Sequence, residues 1–402
     1  MITAGDFDLV ILGGGCAGLS LATELAHLGG ASPHALVLES RQTYSHDRTW
    51  CYFKDGEAAS RTDVQHAWQS MRVASGAGSI AFDCGAARYE MVNAGQFYKN
   101  AEMIIGHSGN VELKMGVVVT KPPEKQDDLW RIDTDVGVLY SRYIVDTRPA
   151  QRPHRDGAKL WQSFYGEEIE CEVDTFDLTC GDLMDFAAAN ACGARQALPD
   201  AVCFVYVLPT TAKRALIEFT VFGPDPLSPE MLHAMHAQAL TRRLGGAAFS
   251  VLRSEHGVLP MGAAPLVATR DASYVVAGLM AGGARPSSGY AFARIQRWAS
   301  RCAFSLATGN GPLGHAPDGV IQRAMDAVFL KLVRARPDLA PDLFVALFDR
   351  TETQSMIRFL SDRATLCDYA RVVASLLPGS LFRAMLVRNR QKRGDLPLLE
   401  AK

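Results

Sequence analysis

Asp8-Leu9-Val10-Ile11-Leu12-Gly13-Gly14-Gly15-Cys16-Ala17-Gly18 runs an apolar strand straight into Gly13-x-Gly15-x-x-Gly18. A helical stretch, Leu19 to Leu28, follows at once. A second apolar strand, Ala35-Leu36-Val37-Leu38, then ends at Glu39, 21 residues beyond Gly18. Each piece has a mechanical job in holding a dinucleotide. Gly13 permits the tight turn, Gly15 lets the backbone approach the pyrophosphate, and Gly18 lets helix and strand pack closely. The helix start offers free N–H groups and partial positive charge to phosphate. Glu39 can accept hydrogen bonds from a ribose diol. Glycine-rich turns often only join elements, but strand, glycines, helix, strand and terminal acid in register point to an adenine dinucleotide.

The rest of the chain selects FAD over NAD. The motif begins eight residues from the N-terminus, and no nicotinamide-domain pattern follows it. Tyr143-Ile144-Val145-Asp146-Thr147-Arg148 is a short apolar strand ending in Asp-x-Arg. It resembles the strand that returns to the cofactor in glutathione-reductase-type flavoproteins, which makes Asp146 a cofactor-side residue. Farther on, Tyr274-Val275-Val276-Ala277-Gly278 leads into Gly282-Gly283-Ala284-Arg285-Pro286-Ser287-Ser288-Gly289-Tyr290 and a helix from Ala291. In that class such a turn holds the pyrophosphate and the flavin edge, so Gly278, Gly282, Gly283, Pro286 and Gly289 join the candidate cofactor set. Leu279 stands where an acid usually follows the glycine.

Composition limits the remaining choices. At 402 residues, one large or two interleaved domains are expected. A net charge of −2 gives no sign of a nucleic-acid surface. The nine cysteines include no Cys-x-x-Cys pair and read as reduced thiols of a cytosolic protein. No charged-then-apolar leader precedes the first strand. No run approaches the ~18 apolar residues that span a bilayer. No His/Cys/Asp cluster has metal-ligand spacing.

The expected fold class is α/β: a Rossmann-type FAD-binding domain interleaved with an antiparallel-sheet substrate domain and a helical C-terminal region. Residues 1–150 with 255–310 are assigned to the FAD domain, 60–105 and 151–254 to the substrate sheet, and 311–402 to the helical region. Strands are predicted over Val73–Asp83, Val111–Val119, Trp130–Asp135, Gly137–Val145, Leu160–Tyr165, Glu168–Phe176, Cys203–Leu208 and Arg214–Phe222. Tyr89 to Glu102 leads into a helix, and Pro122 to Asp128 reads as a polar turn. Ser228-Pro229-Glu230 starts a helix that runs through Leu244.

Taken together, the chain resembles the lycopene cyclase family of carotenoid biosynthesis over nearly its whole length. The stretches that carry the likeness are Gly13 to Ala22, Asp47-Arg48-Thr49-Trp50-Cys51-Tyr52-Phe53 and Leu183-Met184-Asp185-Phe186. Phe204 to Pro209 with Arg214 to Thr220, Gly257-Val258-Leu259-Pro260-Met261 and Arg285 to Tyr290 complete the set. The last three are the most specific. The chain departs from the family at Ala187 and in Met91 to Tyr98, where members tend to show an arginine.

The resemblance implies closure of an acyclic ψ-end of lycopene into a β-ring, with no net redox change. It implies FAD active in its reduced form and NAD(P)H as reductant. Such chemistry needs an acid for the terminal alkene, a means of steadying a tertiary cation, a base, and exclusion of water. Glu218 is the candidate acid. It sits in Ala215-Leu216-Ile217-Glu218-Phe219-Thr220-Val221 and aligns with the glutamate of the family's Leu/Ile-Glu-x-Thr motif. Burial there would raise its pKa. Strand alternation alone favours the plainer outcome, with Ile217 and Phe219 inward and Glu218 in solvent.

Glu255 is a second candidate, at the flavin or pocket wall, with a loop-edge salt bridge as the alternative. Asp185 is a third, though capping a helix over Phe186–Ala191 explains it more simply. Arg48, with Asp47, Thr49 and Trp50, is placed on the cofactor side, or in a loop that packs on the first helix. Tyr290 could pack on the flavin or a polyene; His46 and His256 have ordinary odds of surface or packing roles. Phe359 to Val387 is apolar at helical spacing, and Arg388 to Arg393 adds four positive charges. That pattern fits docking on the inner face of an anionic membrane, or a core helix with a solvated tail. Two other functions stay open: an FAD-dependent monooxygenase or oxidoreductase on another hydrophobic or polyene substrate, and a non-catalytic flavin or polyene carrier.

Overall fold

Parallel strands cannot be joined by a tight turn, so the glycine motif sets the first layer. The structure, a computed structural model, describes residues 7–54, 63–149, 158–263 and 271–376, apart from the side chain of Met280. Strand Phe7–Leu12 lies parallel to Ala35–Glu39 on one side and to Gly137–Asp146 on the other, with helix Cys16–Leu28 as the crossover. Val111–Met115 extends the sheet beyond Ala35–Glu39. On the far edge Gly137–Asp146 is shared: its first half pairs with Leu129–Thr134, its last residues with Tyr274–Val276. The late strand therefore returns its glycine turn to the end of the sheet where Gly13 sits. The expected polar turn at Pro122–Asp128 instead contains a short edge strand, Glu124–Gln126, which forms a hairpin with Leu129–Thr134.

A second sheet has the order Phe249–Met261, Leu160–Cys171, Arg214–Gly223, Val202–Pro209, Cys180–Asp185, Ser70–Ser75, Gly78–Asp83. It is mixed rather than purely antiparallel, because Cys180–Asp185 and Ser70–Ser75 run parallel. Val73–Asp83 is a hairpin and not one strand: Gly76-Ala77-Gly78 turns it, with Gly78 at φ +150°. Leu160–Tyr165 and Glu168–Phe176 merge into one strand because Gly166 stays in the ladder, opposite both Glu218 and Glu255. Residues 255–261, grouped above with the cofactor domain, are the second half of an edge strand here. A third, small sheet joins Thr49–Phe53, Tyr89–Asn93 and Val64–Trp68.

Both faces of the second sheet are covered, which explains its near-continuous apolar strands. Helix Pro229–Leu244 starts at Ser228, whose hydroxyl accepts from Met231 N–H at 3.3 Å. Its Leu232, Ala239 and Leu240 pack on Ile217, Phe219 and Val221 at the outer face. The inner face carries Phe204, Leu208, Leu216 and Phe222, which share a core with Leu330, Leu343 and Phe344 of the C-terminal helices. Those helices are Val320–Ala335, Ala340–Arg350, Thr353–Leu360 and Leu366–Leu376. The apolar stretch from Phe359 is thus broken at Ser361–Thr365, where Asp362 takes φ +62°. Residues 377–402, including the basic run Arg388–Arg393, lie outside the described residues. Among the described residues no helix is long and apolar enough to cross a membrane. None of the nine cysteines is paired.

Candidate active site

The glycine turn is built to leave one space open. Gly13 has φ +96°, and a Cβ on Gly18 would stand 1.9 Å from the Gly13 carbonyl oxygen. A Cβ on Gly15 meets nothing within 4 Å. Gly15 is also the N-cap of helix Cys16–Leu28, which no side chain caps. The first-turn N–H groups therefore face open space suited to an anionic pyrophosphate. Glu39 ends the second strand and accepts from Gly14 N–H at 2.8 Å. Burial works against its charge, but the hydrogen bonds and charge of Arg41 outweigh burial and hold its carboxyl below the ordinary range. Arg41 and Tyr44 both bond the Gly14 carbonyl, at 3.2 and 2.9 Å. These residues fit a dinucleotide without rearrangement of the turn.

The late loop closes from the other side. Gly278 and Gly282 take φ +86° and +91°, and Gly289 +73°. A Cβ on Gly283 would lie 2.5 Å from the Gly278 carbonyl oxygen, so this turn too depends on glycine. His315 Nε2 accepts from Gly278 N–H at 3.0 Å. Burial, then Arg294, push that imidazole down to about 4, which keeps it neutral as an acceptor. Pro286 is part-buried in a loop that Arg285 N–H closes on the Tyr290 carbonyl at 2.9 Å. Asp146 is held by Arg148 at 2.9 and 2.7 Å and by the Tyr274 hydroxyl at 2.9 Å. Thr147 beside it bonds the Gly13 carbonyl at 2.8 Å, so the Asp-x-Arg segment braces the turn. Arg48 is exposed and pairs with Asp47 at 2.8 Å.

Glu218 is on the inner face of the second sheet, opposite to Ile217 and Phe219. In register across the strands stand Tyr206, Glu218, Gly166 and Glu255. Directly paired antiparallel residues share a face, so these four form a row. Gly166 is the gap in it: a Cβ there would meet Glu218 Cβ at 3.1 Å and Cγ at 3.2 Å. The Thr220 hydroxyl donates to Glu218 Oε1 at 2.6 Å. Burial first, and the Glu255 carboxylate second, push the Glu218 carboxyl from its ordinary 4.5 up to about 8, against Thr220 and Arg253. Its proton is held more tightly than that of an ordinary carboxyl. Glu255 is itself buried, and its Oε2 accepts from Arg253 at 2.6 Å and from Thr49 at 2.9 Å.

An apolar cavity of about 310 Å³ reaches Tyr206, the first residue of this row. Tyr206 lines it, with Phe204, Phe222, Gln162, Ser288 and Tyr290 at the sheet end. The phenols of Tyr206, Tyr290 and Tyr89 share hydrogen bonds there. Its other walls come from the C-terminal helices, through Phe329, Phe344, Met356 and Phe359 among others. Val328 and Val373 line the cavity yet are 52% and 41% exposed, which marks its mouth between helices Val320–Ala335 and Leu366–Leu376. A long, thin, apolar molecule could enter there and present one end to Tyr206.

The Asp185 carboxylate is spent on Ala188 N–H at 2.8 Å, as the N-cap of Phe186–Ala191. His256 is exposed on the edge strand, and His46 lies 3.7 Å from Glu168. The sequence reading missed Gly166, Arg253, Tyr206, Tyr89 and His315. Arg253 was visible as the residue two before Glu255, hence on its face of a strand; the others join only through pairing between distant strands.

A family model described as lycopene cyclase protein matches residues 8–386. The chain belongs to the lycopene cyclase family. No curated protein matches it by sequence. Among solved structures, the lycopene cyclase family member is similar to a geranylgeranyl bacteriochlorophyll reductase-like protein from Thermoplasma acidophilum. That match has 11% identity and a TM-score of 0.61, over 94% of this chain and 98% of the other. It is also similar to p-nitrophenol 4-monooxygenase from Pseudomonas putida, at 14% identity and TM-score 0.55, over 97% and 99% of the two chains. A halogenase in complex with FAD matches at 13% identity and TM-score 0.56, over 98% and 93%. These likenesses show that the lycopene cyclase family chain shares the Rossmann-type α/β fold of those proteins.

Proposed function

We propose that the protein closes the acyclic ψ-ends of lycopene, or a related polyene, into β-rings by proton-initiated, redox-neutral cyclisation with FAD. The observation that carries this reading is Glu218: a carboxyl whose pKa is pushed up to about 8, paired across the strands with Tyr206, which lines an apolar cavity. Membership of the lycopene cyclase family supports the substrate class. FAD suits the open space at Gly15, with Gly13, Gly18, Glu39 and the Gly278–Gly289 loop to hold it; Arg48, paired with Asp47, is proposed as a further cofactor-side residue. When bound in its reduced form, kept so by NAD(P)H, FAD supplies a fixed negative charge that steadies positive charge nearby.

The chain's own residues do the rest. Glu218 gives its proton to the terminal alkene and leaves a tertiary cation. The neighbouring double bond attacks, the ring closes, and loss of a ring proton restores neutrality. The Glu218 carboxylate, half-buried and near the Glu255 charge, is the base that most favours taking a proton back. One proton enters and one leaves, so no electrons are consumed. Phe204, Phe222, Tyr206 and Tyr290 keep water from the cation. Entry at Val328 and Val373 suits a substrate drawn from a membrane surface.

Expression in a lycopene-accumulating bacterium, with chromatography of the pigments, tests the reading. Cyclised carotenoids are expected; unchanged lycopene, or a hydroxylated product made with stoichiometric oxygen, would refute it. Gly166→Ala should cut turnover at least about tenfold in the same assay, because its methyl displaces the acid, at about 1–3 kcal/mol in stability.

The raised pKa also has a pH signature. Activity should fall as pH rises through about 8, where Glu218 loses its proton. Between the ordinary 4.5 and about 8 the folded state holds a proton that the unfolded state has released. Stability from this group is therefore full below that window and declines across it. Glu218→Gln lacks this decline, so its melting temperature should gain on wild type as pH rises from 5 to 8. Parallel melting curves for the two proteins would contradict the raised pKa.

A further inference from the structure

Two carboxyls flank one glycine, and their surroundings are opposite in kind. Glu218 pairs with Gly166 from one side of strand Leu160–Cys171 and Glu255 from the other. Both stand on the same face, with no side chain between them. Glu218 has a neutral hydroxyl, Thr220, as its hydrogen-bond partner. Glu255, 6% exposed, has a guanidinium. Arg253 is itself fixed, with Nε on Glu168 at 2.8 Å and Nη2 on Thr49 at 2.5 Å, while the Thr49 hydroxyl donates to Glu255 at 2.9 Å. A carboxylate raises the pKa of a carboxyl near it, as Glu255 does for the half-buried Glu218, and a cation on one of the two decides which keeps its charge. Here a cation attends one.

We propose that Arg253 assigns the two roles: by bonding Glu255 it keeps that carboxylate charged, leaving the proton on Glu218 and a fixed anion beside the cation that forms. The inference rests on Glu218 being the acid. The groups that face Glu218 are Thr220 on its own strand, Tyr206 on Val202–Pro209, Glu255 and Arg253 on Phe249–Met261, and Cys51 on Thr49–Phe53. Burial pushes the Tyr206 phenol and the Cys51 thiol well up, so both stay neutral. Arg253 is thus the cation of this set, and Glu255 its anion. In a water-poor site a fixed carboxylate acts strongly on a nearby carbocation. Arg253 is a positioning residue; it acts through Glu255.

The test is an infrared titration of protonated carboxyl absorption in the flavin-loaded protein, run with turnover on lycopene. Wild type should show a protonated carboxyl that titrates near 8. It should vanish in Glu218→Gln. In Glu255→Gln it should persist with its midpoint lowered by about one unit, and turnover should fall at least about tenfold at equal Glu218 protonation. Arg253→Met should add a second protonated-carboxyl absorption; Arg253→Lys, which keeps the charge, should not. Glu255→Gln keeps side-chain shape and carries the test alone if Arg253→Met fails to fold. An unchanged midpoint and turnover in Glu255→Gln would overturn the assignment and leave Glu218 as the acid. Wild-type turnover in Glu218→Gln would remove the acid reading, and this inference with it.

Discussion

Glu218→Gln is expected to lower cyclisation roughly a hundred- to ten-thousand-fold, the usual range for loss of a positioned general acid. Flavin content should stay near that of wild type, because Glu218 lies on the second sheet, apart from the glycine turns. Glutamine keeps the side-chain length and an acceptor for the Thr220 hydroxyl, so the row Tyr206–Glu218–Gly166–Glu255 keeps its shape. It cannot give up a proton. Aspartate should recover little, since a shorter side chain draws the acid back from its place beside Tyr206. Pigment chromatography after timed incubation with lycopene measures both variants. Turnover by Glu218→Gln within a few-fold of wild type would exclude the residue as the proton source.

Gly15→Val should yield a folded protein that does not retain flavin. Nothing lies within 4 Å of a Cβ at this position, and Gly15 has φ −81°, which any residue adopts. The apoprotein should therefore melt near the wild-type temperature. The new side chain fills the space above the first turn of helix Cys16–Leu28, where the pyrophosphate would sit. Loss of charged hydrogen bonds to phosphate costs about 3 kcal/mol, roughly a hundredfold in affinity. Gly18→Ala makes the opposite case. Its Cβ would stand 1.9 Å from the Gly13 carbonyl oxygen, so the turn itself must move, at about 3 kcal/mol. Melting of the apoproteins and flavin absorbance of the purified proteins separate the two effects. Normal flavin content in Gly15→Val would refute the placement of the dinucleotide.

The glycine turn, the late glycine loop and the helix after Ser228 were legible because each is local: residue type, spacing and cap lie within one short stretch. Glu218 was legible only through family resemblance. Alternation correctly set it on the face opposite Ile217 and Phe219, but it assumed that one face meets water. Helix Pro229–Leu244 covers the outer face and the C-terminal helices the inner one, so the same periodicity buries both sets. The Gly166 gap, the Arg253 bridge and the Tyr89–Tyr206–Tyr290 phenols are products of strand register between segments far apart in the chain. A single sequence carries no signal for such pairing. Asp185 shows the reverse: the simpler local account, a helix cap, is what the structure displays.

In the proposed mechanism a proton, and no electron, is exchanged with the polyene. This exchange is tested most directly by anaerobic turnover of lycopene in heavy water with pre-reduced flavin, followed by mass analysis of the product. β-Ringed product should carry deuterium in each new ring and form over many turnovers with no further NAD(P)H consumed. Ringed product without the label, or NAD(P)H oxidised in step with each ring, would contradict the mechanism.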